Sequence, residues 1–425
     1  MSDENMKKKL KIGLVGLGVV GKSVYEILLN QKEIFQEKIP VELELVAVSS
    51  RSRKNFVDEK KVKFVADPLD LVLDKEIDII IEVVGNIANI QELWVEALKN
   101  GKKIITANKA LFATKGFEMA KLAQENDSHI AFEASCAAAI PIVKMFKEAF
   151  AANKIKTFCG ILNGTSNYIL TKMKNEKIDF SVALKQAQEA GYAESDPVFD
   201  VEGIDTAHKL TILAAIASST KPQFDNVYVE GITKITIDDI NFADEFGYKI
   251  KLLGIYKNDG EALIQVVYPA FVSKDSRIAS VDDSFNAVFT QGSNCGDSFV
   301  VGRGAGGFET ASAIIADLID MACKRYSYEF GVKVENLKTA KIKKIQERKG
   351  KYFLRVSFDK NSKKDMILSN EFLEKIAAQQ SYFYEKNDRI FCGIITDKIV
   401  EEDFLTAFQE LVGVDDRHFI RVEEI

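Results

Sequence analysis

The chain has 425 residues, 47% of them apolar and 28% charged, which allows two or three domains around a sizeable core and excludes a largely disordered polymer. A formal charge of −6 leaves no broad basic surface for nucleic acid, and the one basic run, KKKLK at residues 7 to 11, leads straight into a strand. No apolar run reaches membrane-spanning length and the N-terminus lacks a signal peptide's apolar segment, so the expectation is a cytoplasmic protein that binds neither nucleic acid nor membrane.

Residues 10 to 135 alternate strands and helices. LKIGLVGLG reads as a strand ending in Gly16-x-Gly18-x-x-Gly21, followed by an amphipathic helix through SVYEILLNQKEIF and a second strand, VELELVAVSS. In that order the motif is a dinucleotide fingerprint. Gly16 permits the tight turn, Gly18 the close approach of a pyrophosphate, and Gly21 the packing of the helix on its strand. The second strand ends in SSRSRKN, with Arg51 and Arg53 where a ribose-reading carboxylate would otherwise sit. A 2′-phosphate would find cations there, so NADP(H) is favoured over NAD(H); two solvent-facing loop arginines would look the same.

Further strands at IDIIIEVVG, KKIITAN and HIAFEAS, with helices between them, make an open parallel sheet. Ligands bind beyond the carboxyl ends of such strands, where Gly85, Asn86, Asn108 and Lys109 fall, and Lys109 becomes a candidate active-site cation. Near residue 135 the pattern changes. A small-residue turn, CAAAIP, precedes the helix IVKMFKEAFAANK, the strand IKTFCGILNG and the segment TSNYILTKMKNE. NGTSN places Asn163 and Gly164 in a turn and Thr165 or Ser166 at a helix N-cap, which suits a carbonyl or carboxylate ligand and equally a plain capped helix.

Residues 188 to 209 crowd Glu189, Glu194, Asp196, Asp200, Glu202 and Asp205 together before Lys209 supplies a cation. Such crowding disfavours folding unless the carboxylates bind something positive or share protons. Asp205 and Lys209 stand four apart among apolar residues at helical spacing, so they share a helix face and form a candidate proton-transfer pair. The alternative is a solvated acidic loop with an ordinary surface pair. His208 points one helical step away and reads as structural. Beyond it, KITIDD, YKIKLLGIYKN and EALIQVVYPAFVS suggest a second, mixed sheet.

Taken together, GLGVVG, ITANKALFA, FEAS followed by AIPIV, GILNGTSNYILTKM, EAGYAESDPVFDVEGIDTAHKLTILA, and GRGAGG with TASAIIADL resemble homoserine dehydrogenases in the family's own order. The resemblance implies NAD(P)H-dependent, reversible reduction of aspartate 4-semialdehyde to homoserine, on the route to threonine, isoleucine and methionine. It implies Lys209 as acid/base lysine, Asp205, Glu194 and Asp200 as substrate-binding carboxylates, and Lys109 between cofactor and substrate. Cofactor contacts are implied at Gly16, Leu17, Gly18, Val19, Val20, Gly21, Arg51, Lys109, Gly191 and Gly306, with GRGAGG returning the chain to the nucleotide domain and a helix from Thr310 to Tyr328 completing it. A sodium-like monovalent cation is implied at Glu133, Cys136, Ala138 and Ile140. The family commonly has glycines in that turn; Ala138 and Ala139 stand there instead, which is strained if positive φ is required. An oligomer, at least a dimer, is also implied.

Residues 350 to 425 read βαββαβ, a ferredoxin-like order that resembles the ACT module appended to many homoserine dehydrogenases. Its first loop, KNSKKDMILS, has no glycine, so a bound amino-acid effector and a purely structural module are equally open. The expected architecture is therefore α/β: a Rossmann dinucleotide-binding domain (1–135, completed by 302–335), an α+β substrate and dimerisation domain with a mixed sheet (136–301), and this C-terminal module. Five scattered cysteines without a CxxC pair and three histidines argue against zinc. Two rivals differ in chemistry: a Cys136-dependent aldehyde dehydrogenase, and a dinucleotide-sensing protein without catalysis.

Overall fold

In a computed structural model of the chain, residues 9–85, 90–362 and 368–425 are described. Asn86, the lysines at 7 and 8 of the basic run, and the middle of the KNSKKDMILS loop lie outside them.

The N-terminal region comprises β1 (Lys9–Val15), α1 (Val19–Asn30), β2 (Glu42–Ser49), β3 (Lys63–Val65), α2 (Pro68–Leu73), β4 (Ile79–Glu82), α3 (Ile90–Lys99), β5 (Lys103–Thr106), α4 (Lys109–Glu125) and β6 (Ile130–Ala131). Its strands pair in parallel in the order β3-β2-β1-β4-β5-β6. The order reverses between β1 and β4, and that switch point opens the ligand crevice at their carboxyl ends. Helices cover both faces, which is why the central strands read as aliphatic runs without alternation: Ile12, Leu14, Ile79, Ile80 and Ile81 are all buried.

The middle region contains β7 (Ile155–Ile161), α5 (Gly164–Glu176), α6 (Phe180–Glu189), α7 (Ile204–Ser218), β8 (Tyr228–Val229), α8 (Ile237–Glu245), β9 (Tyr248–Asn258), β10 (Leu263–Ser273), β11 (Phe285–Gly292) and β12 (Gly296–Arg303). The next helix, α9 (Gly307–Ala322), returns to the first sheet and packs Ala311, Ile314, Leu318 and Met321 against Ile12, Leu14, Val24 and Val48. It is shorter than the expected span to Tyr328. Lys324 adopts a left-handed φ of 55° just past its end, and the chain leaves the helix there.

The C-terminal residues form β13 (Lys349–Asp359), α10 (Asn370–Lys375), β14 (Ala378–Lys386), β15 (Arg389–Thr396), β16 (Ile399–Val400), α11 (Glu401–Glu410) and β17 (Asp416–Glu423). Four of these strands lie in the order β17-β13-β15-β14, the ferredoxin-like arrangement, over a core that includes Leu354, Val356, Phe358, Ile394 and Phe404. They also continue the middle sheet. β17 pairs in parallel with β10, so the path runs β12-β11-β7-β9-β10-β17-β13-β15-β14 without interruption.

Candidate active site

The glycine turn has the geometry of a phosphate cradle. Gly16 adopts φ 104°, and a Cβ there would lie 2.8 Å from the Val83 carbonyl; a Cβ on Gly21 would lie 1.9 Å from the Gly16 carbonyl. Both positions are closed to any side chain. A Cβ on Gly18 would meet nothing within 4 Å, so the space beside the turn is open. Gly18 caps α1 without a side-chain hydrogen bond, Val19 is exposed and the first turn carries no acid, which leaves backbone N–H groups and the helix dipole facing that space. Gly307 lies against the same turn, since its absent Cβ would be 2.7 Å from Ser23 Oγ and 3.0 Å from Val19 Cγ1. This brings Gly306, at φ 133°, to the crevice. Arg51 is exposed and has no ion-pair partner among the described residues. Arg53 pairs with Glu59 and lies over the Phe64 ring.

At the adjacent strand ends, Asn108 caps α4 by accepting the Leu111 N–H at 3.1 Å, and Lys109 is the first helical residue. The Lys109 side chain reaches across to the middle region, its Nζ 3.0 Å from Asp205 Oδ1. Asp205 and Lys209 lie one turn apart on α7 as their spacing requires, with Lys209 Nζ donating to Asp205 Oδ2 at 2.7 Å and to the Leu162 carbonyl at 2.7 Å. Two ammonium groups, one from the N-terminal and one from the middle region, thus meet on one buried carboxylate. Burial alone would raise the Asp205 carboxyl, but Lys209 and then Lys109 hold it well below the usual carboxylate range. Lys109 is in turn raised, by Asp205 first of all, and its side chain stays 38% exposed, so it faces the crevice. An ammonium has three donors; Lys209 spends two on the protein, which leaves one for a substrate oxygen.

Asn163 is the hub that local reading missed. The expected cap of α5 was Thr165 or Ser166; instead the Asn163 amide oxygen accepts the Ser166 N–H at 2.8 Å, because a short amide reaches the third helical N–H from the cap position. Its amide nitrogen donates to Asp205 at 2.8 Å and to Asp200 at 2.7 Å. The freed hydroxyls tie down the acidic segment: Thr165 donates to the Tyr192 carbonyl and Ser166 to that of Asp200. Of the acidic crowd only Asp200 and Asp205 enter this network. Glu189, Glu194, Asp196 and Glu202 are exposed, and Glu194 contributes only its backbone carbonyl, to Gln188. Gly191 adopts φ 76° in the exposed turn before it. His208 is buried against Phe224, with burial pushing it down to about 4, so it stays neutral beside the lysines.

The CAAAIP turn does take left-handed backbone, at Ala137 (φ 53°) and Ala138 (φ 36°), while Ala139 anchors it by donating to the Arg303 carbonyl. Two non-glycine residues in that region store strain. Cys136 is fully buried and its thiol is pushed up to about 12, chiefly by burial, which removes the thiolate that a covalent aldehyde chemistry needs.

The family model for the homoserine dehydrogenase NAD-binding domain matches residues 16–133, and that for homoserine dehydrogenase matches residues 141–319. A homoserine dehydrogenase of Pseudomonas aeruginosa is 35% identical over 98% of this chain and 100% of its own length. The crystal structure of a homoserine dehydrogenase from Thiobacillus denitrificans superposes with a TM-score of 0.90 at 33% identity, covering 98% of this chain and 99% of that one. A hyperthermophilic archaeal homoserine dehydrogenase in complex with NADPH superposes with a TM-score of 0.63 at 26% identity, covering 75% of this chain and 99% of that one. With a Rossmann sheet, an open glycine turn and a lysine pair joined on one buried carboxylate, Lys109 of the pair standing at the sheet's strand ends, this chain belongs to the homoserine dehydrogenase family, NAD(P)-dependent oxidoreductases acting on a CH–OH group.

Proposed function

We propose that the chain reduces L-aspartate 4-semialdehyde to L-homoserine reversibly, with NADP(H) preferred, and so serves threonine, isoleucine and methionine biosynthesis. The observation that carries this reading is the junction of Lys109 and Lys209 on Asp205 at the mouth of the dinucleotide crevice. The nicotinamide, when bound, supplies or accepts the hydride at the substrate carbon. The chain's own residues manage charge and protons. Lys209, with one N–H left over, stabilises the negative charge that develops on the aldehyde oxygen and delivers the proton; in oxidation it receives the proton back. Asp205 keeps both ammonium groups in place, and Lys109 adds positive charge from the cofactor side. Asp200 and Glu194 are assigned to the polar end of the amino-acid substrate.

The preference for NADP(H) rests on exposed Arg51, a bidentate donor with no competing carboxylate among the described residues. A monovalent cation at Glu133, Cys136, Ala138 and Ile140 belongs to the same proposal: among the described residues the carbonyls of Cys136 and Ala138 accept no backbone N–H, whereas the Ile140 carbonyl accepts that of Ile142 at 2.7 Å and the two Glu133 oxygens accept those of Val143 and Lys144 at 2.9 and 2.8 Å, so these two would hold the ion through their remaining lone pairs. A homo-oligomer, and an amino-acid effector on the C-terminal module, complete it. The decisive assay is turnover of L-homoserine with NADP or NAD, followed by nicotinamide absorbance. Homoserine-dependent reduction supports the reading, and nucleotide binding without turnover would make the protein a sensor.

A further inference from the structure

Glu82 closes β4 at the crevice end of the sheet and is 0% exposed. Its strand neighbours Ile79, Ile80 and Ile81 are aliphatic, and another aliphatic residue would fill the position without the cost of burying a carboxylate. Three donors satisfy it: the Val84 N–H at 2.7 Å on one oxygen, and Thr106 Oγ1 at 2.8 Å and the Trp94 indole N–H at 3.2 Å on the other. Thr106, by donating its hydroxyl hydrogen to Glu82, turns a lone pair toward the Asn108 N–H, 2.9 Å away. Asn108 then caps α4, whose first residue is Lys109.

We propose that Glu82 is a positioning residue for Lys109, acting through Thr106 and Asn108 to hold the turn from which that lysine reaches Asp205. The inference rests on the role given to Lys109 above. The direction of the bonds makes it specific. The Val84 and Trp94 groups can only donate, so a protonated Glu82 has one place for its hydrogen, the Thr106 oxygen. Accepting there with one lone pair and from Asn108 with the other, Thr106 would have to turn its own hydrogen away from Glu82, its one acceptor among the described residues, which leaves that buried hydrogen unpartnered and weakens the relay. The ionised carboxylate alone keeps every bond in register. No charged side chain among the described residues faces Glu82: α3 presents Trp94, β5 presents Thr106, and its own strand continues into Val84. Burial first of all pushes the carboxyl up to about 7, against the three hydrogen bonds. The ionised, relay-competent form is therefore lost as pH falls through about 7, and activity falls with it.

The test uses the full-length enzyme with NADP and homoserine, measuring kcat and KM against pH for the wild type, Glu82→Gln, Thr106→Val and Thr106→Ser. Glutamine keeps the volume but cannot ionise. The expected result is an acid limb near pH 7 in the wild type that is absent in Glu82→Gln, with kcat lowered about 10- to 100-fold at its plateau and nucleotide affinity unchanged. Thr106→Val lowers kcat by the same factor and Thr106→Ser restores it, which keeps the test open should Glu82→Gln fail to fold. A Glu82→Gln profile that superimposes on the wild type, or full kcat in Thr106→Val, overturns this inference alone. Absence of homoserine turnover in the wild type overturns the functional reading and this inference with it.

Discussion

Replacing Lys209 with Met tests the proposed proton donor apart from everything else the site does. The thioether follows the buried lysine stem, so the packing survives, but the Leu162 carbonyl and one Asp205 oxygen each lose a donor at 2.7 Å. An orphaned buried carbonyl costs about 1–3 kcal/mol and a lost charge-assisted bond a similar amount, partly offset because Asp205 keeps Lys109 at 3.0 Å and Asn163 at 2.8 Å. A net loss of roughly 2–4 kcal/mol leaves a protein of ordinary stability folded. Turnover is another matter. A positioned general acid contributes about 10²- to 10⁴-fold, or roughly 3–5 kcal/mol of barrier. Steady-state oxidation of homoserine should therefore fall by that factor while NADPH affinity, set at the glycine turn on another element, stays the same in a fluorescence titration. Turnover within a few-fold of the wild type in a folded Lys209→Met protein would refute the assignment of the proton to this amine.

Gly18→Ala and Gly21→Ala should part company: the first keeps the wild-type melting temperature but weakens cofactor binding, because its Cβ enters open space, whereas the second destabilises the fold, because its Cβ would lie 1.9 Å from a carbonyl. Similar melting temperatures for the two would show that the turn is not packed as described. Arg51→Ala should weaken NADPH by about tenfold or more and NADH hardly at all, the worth of one charge-assisted contact to a 2′-phosphate; equal losses in calorimetric titrations of both nucleotides would remove the reason for preferring NADP. Asp205→Asn strips the counter-charge from two ammonium groups and should cost about 3–5 kcal/mol in denaturant unfolding. Because the folded carboxyl lies below its unfolded value of about 3.9, its ion pairs stabilise the protein fully above that pH and less as pH falls below it. The acid slope below about pH 4 should therefore be shallower in Asp205→Asn, and an unchanged slope would contradict the pairing.

What could be read from the chain alone was local in sequence. The glycine turn is six consecutive residues, and Asp205 with Lys209 is one helical turn, so spacing alone decides which groups meet. Asn163 was hidden because its carboxylate partners lie 37 and 42 residues away, and nothing in NGTSN says which side chain caps the helix and which reaches outward. Glu82 was hidden differently. It sits inside an aliphatic run that reads simply as a strand, and the available signal was the oddity itself: one carboxylate ending a strand buried on both faces. The turn at 137–138 shows the opposite failure. Strain was expected at Ala138 and Ala139 only if the turn needed positive φ; the left-handed residues are Ala137 and Ala138, and local sequence shows neither that placement nor the tertiary bonds, such as Ala139 to Arg303, that hold two alanines there.

Strand pairing is the least legible level, and here it ties the C-terminal module to the chemistry. β17 adds to the edge of β10 through Ala270 to Val272, and the contact is sealed by charge: Glu423 takes Lys257 at 2.9 Å, the Tyr268 hydroxyl at 2.7 Å and Arg348 at 2.8 Å, which hold its carboxyl down at about 2 against burial. Arg421 on the same strand bonds Glu401 at 2.6 Å and Glu230 at 2.7 Å, joining α11 to the middle region. The helix that carries Asp205 and Lys209 lies directly on this sheet. A Cβ on Gly254 of β9 would be 3.1 Å from Thr206, and Gly203, which begins α7, is 3.0 Å by the same measure from Val267 of β10. Helix and sheet are thus in close contact, so a shift of α7 presses on β9 and β10, and β10 is held in turn by its ladder with β17. Without β17, the β10 edge would expose unpaired backbone groups and leave Lys257 and Tyr268 without their carboxylate. The module and the helix that carries Asp205 and Lys209 therefore share one mechanical support, and a module ligand that moved β17 would act on Lys209 through that sheet.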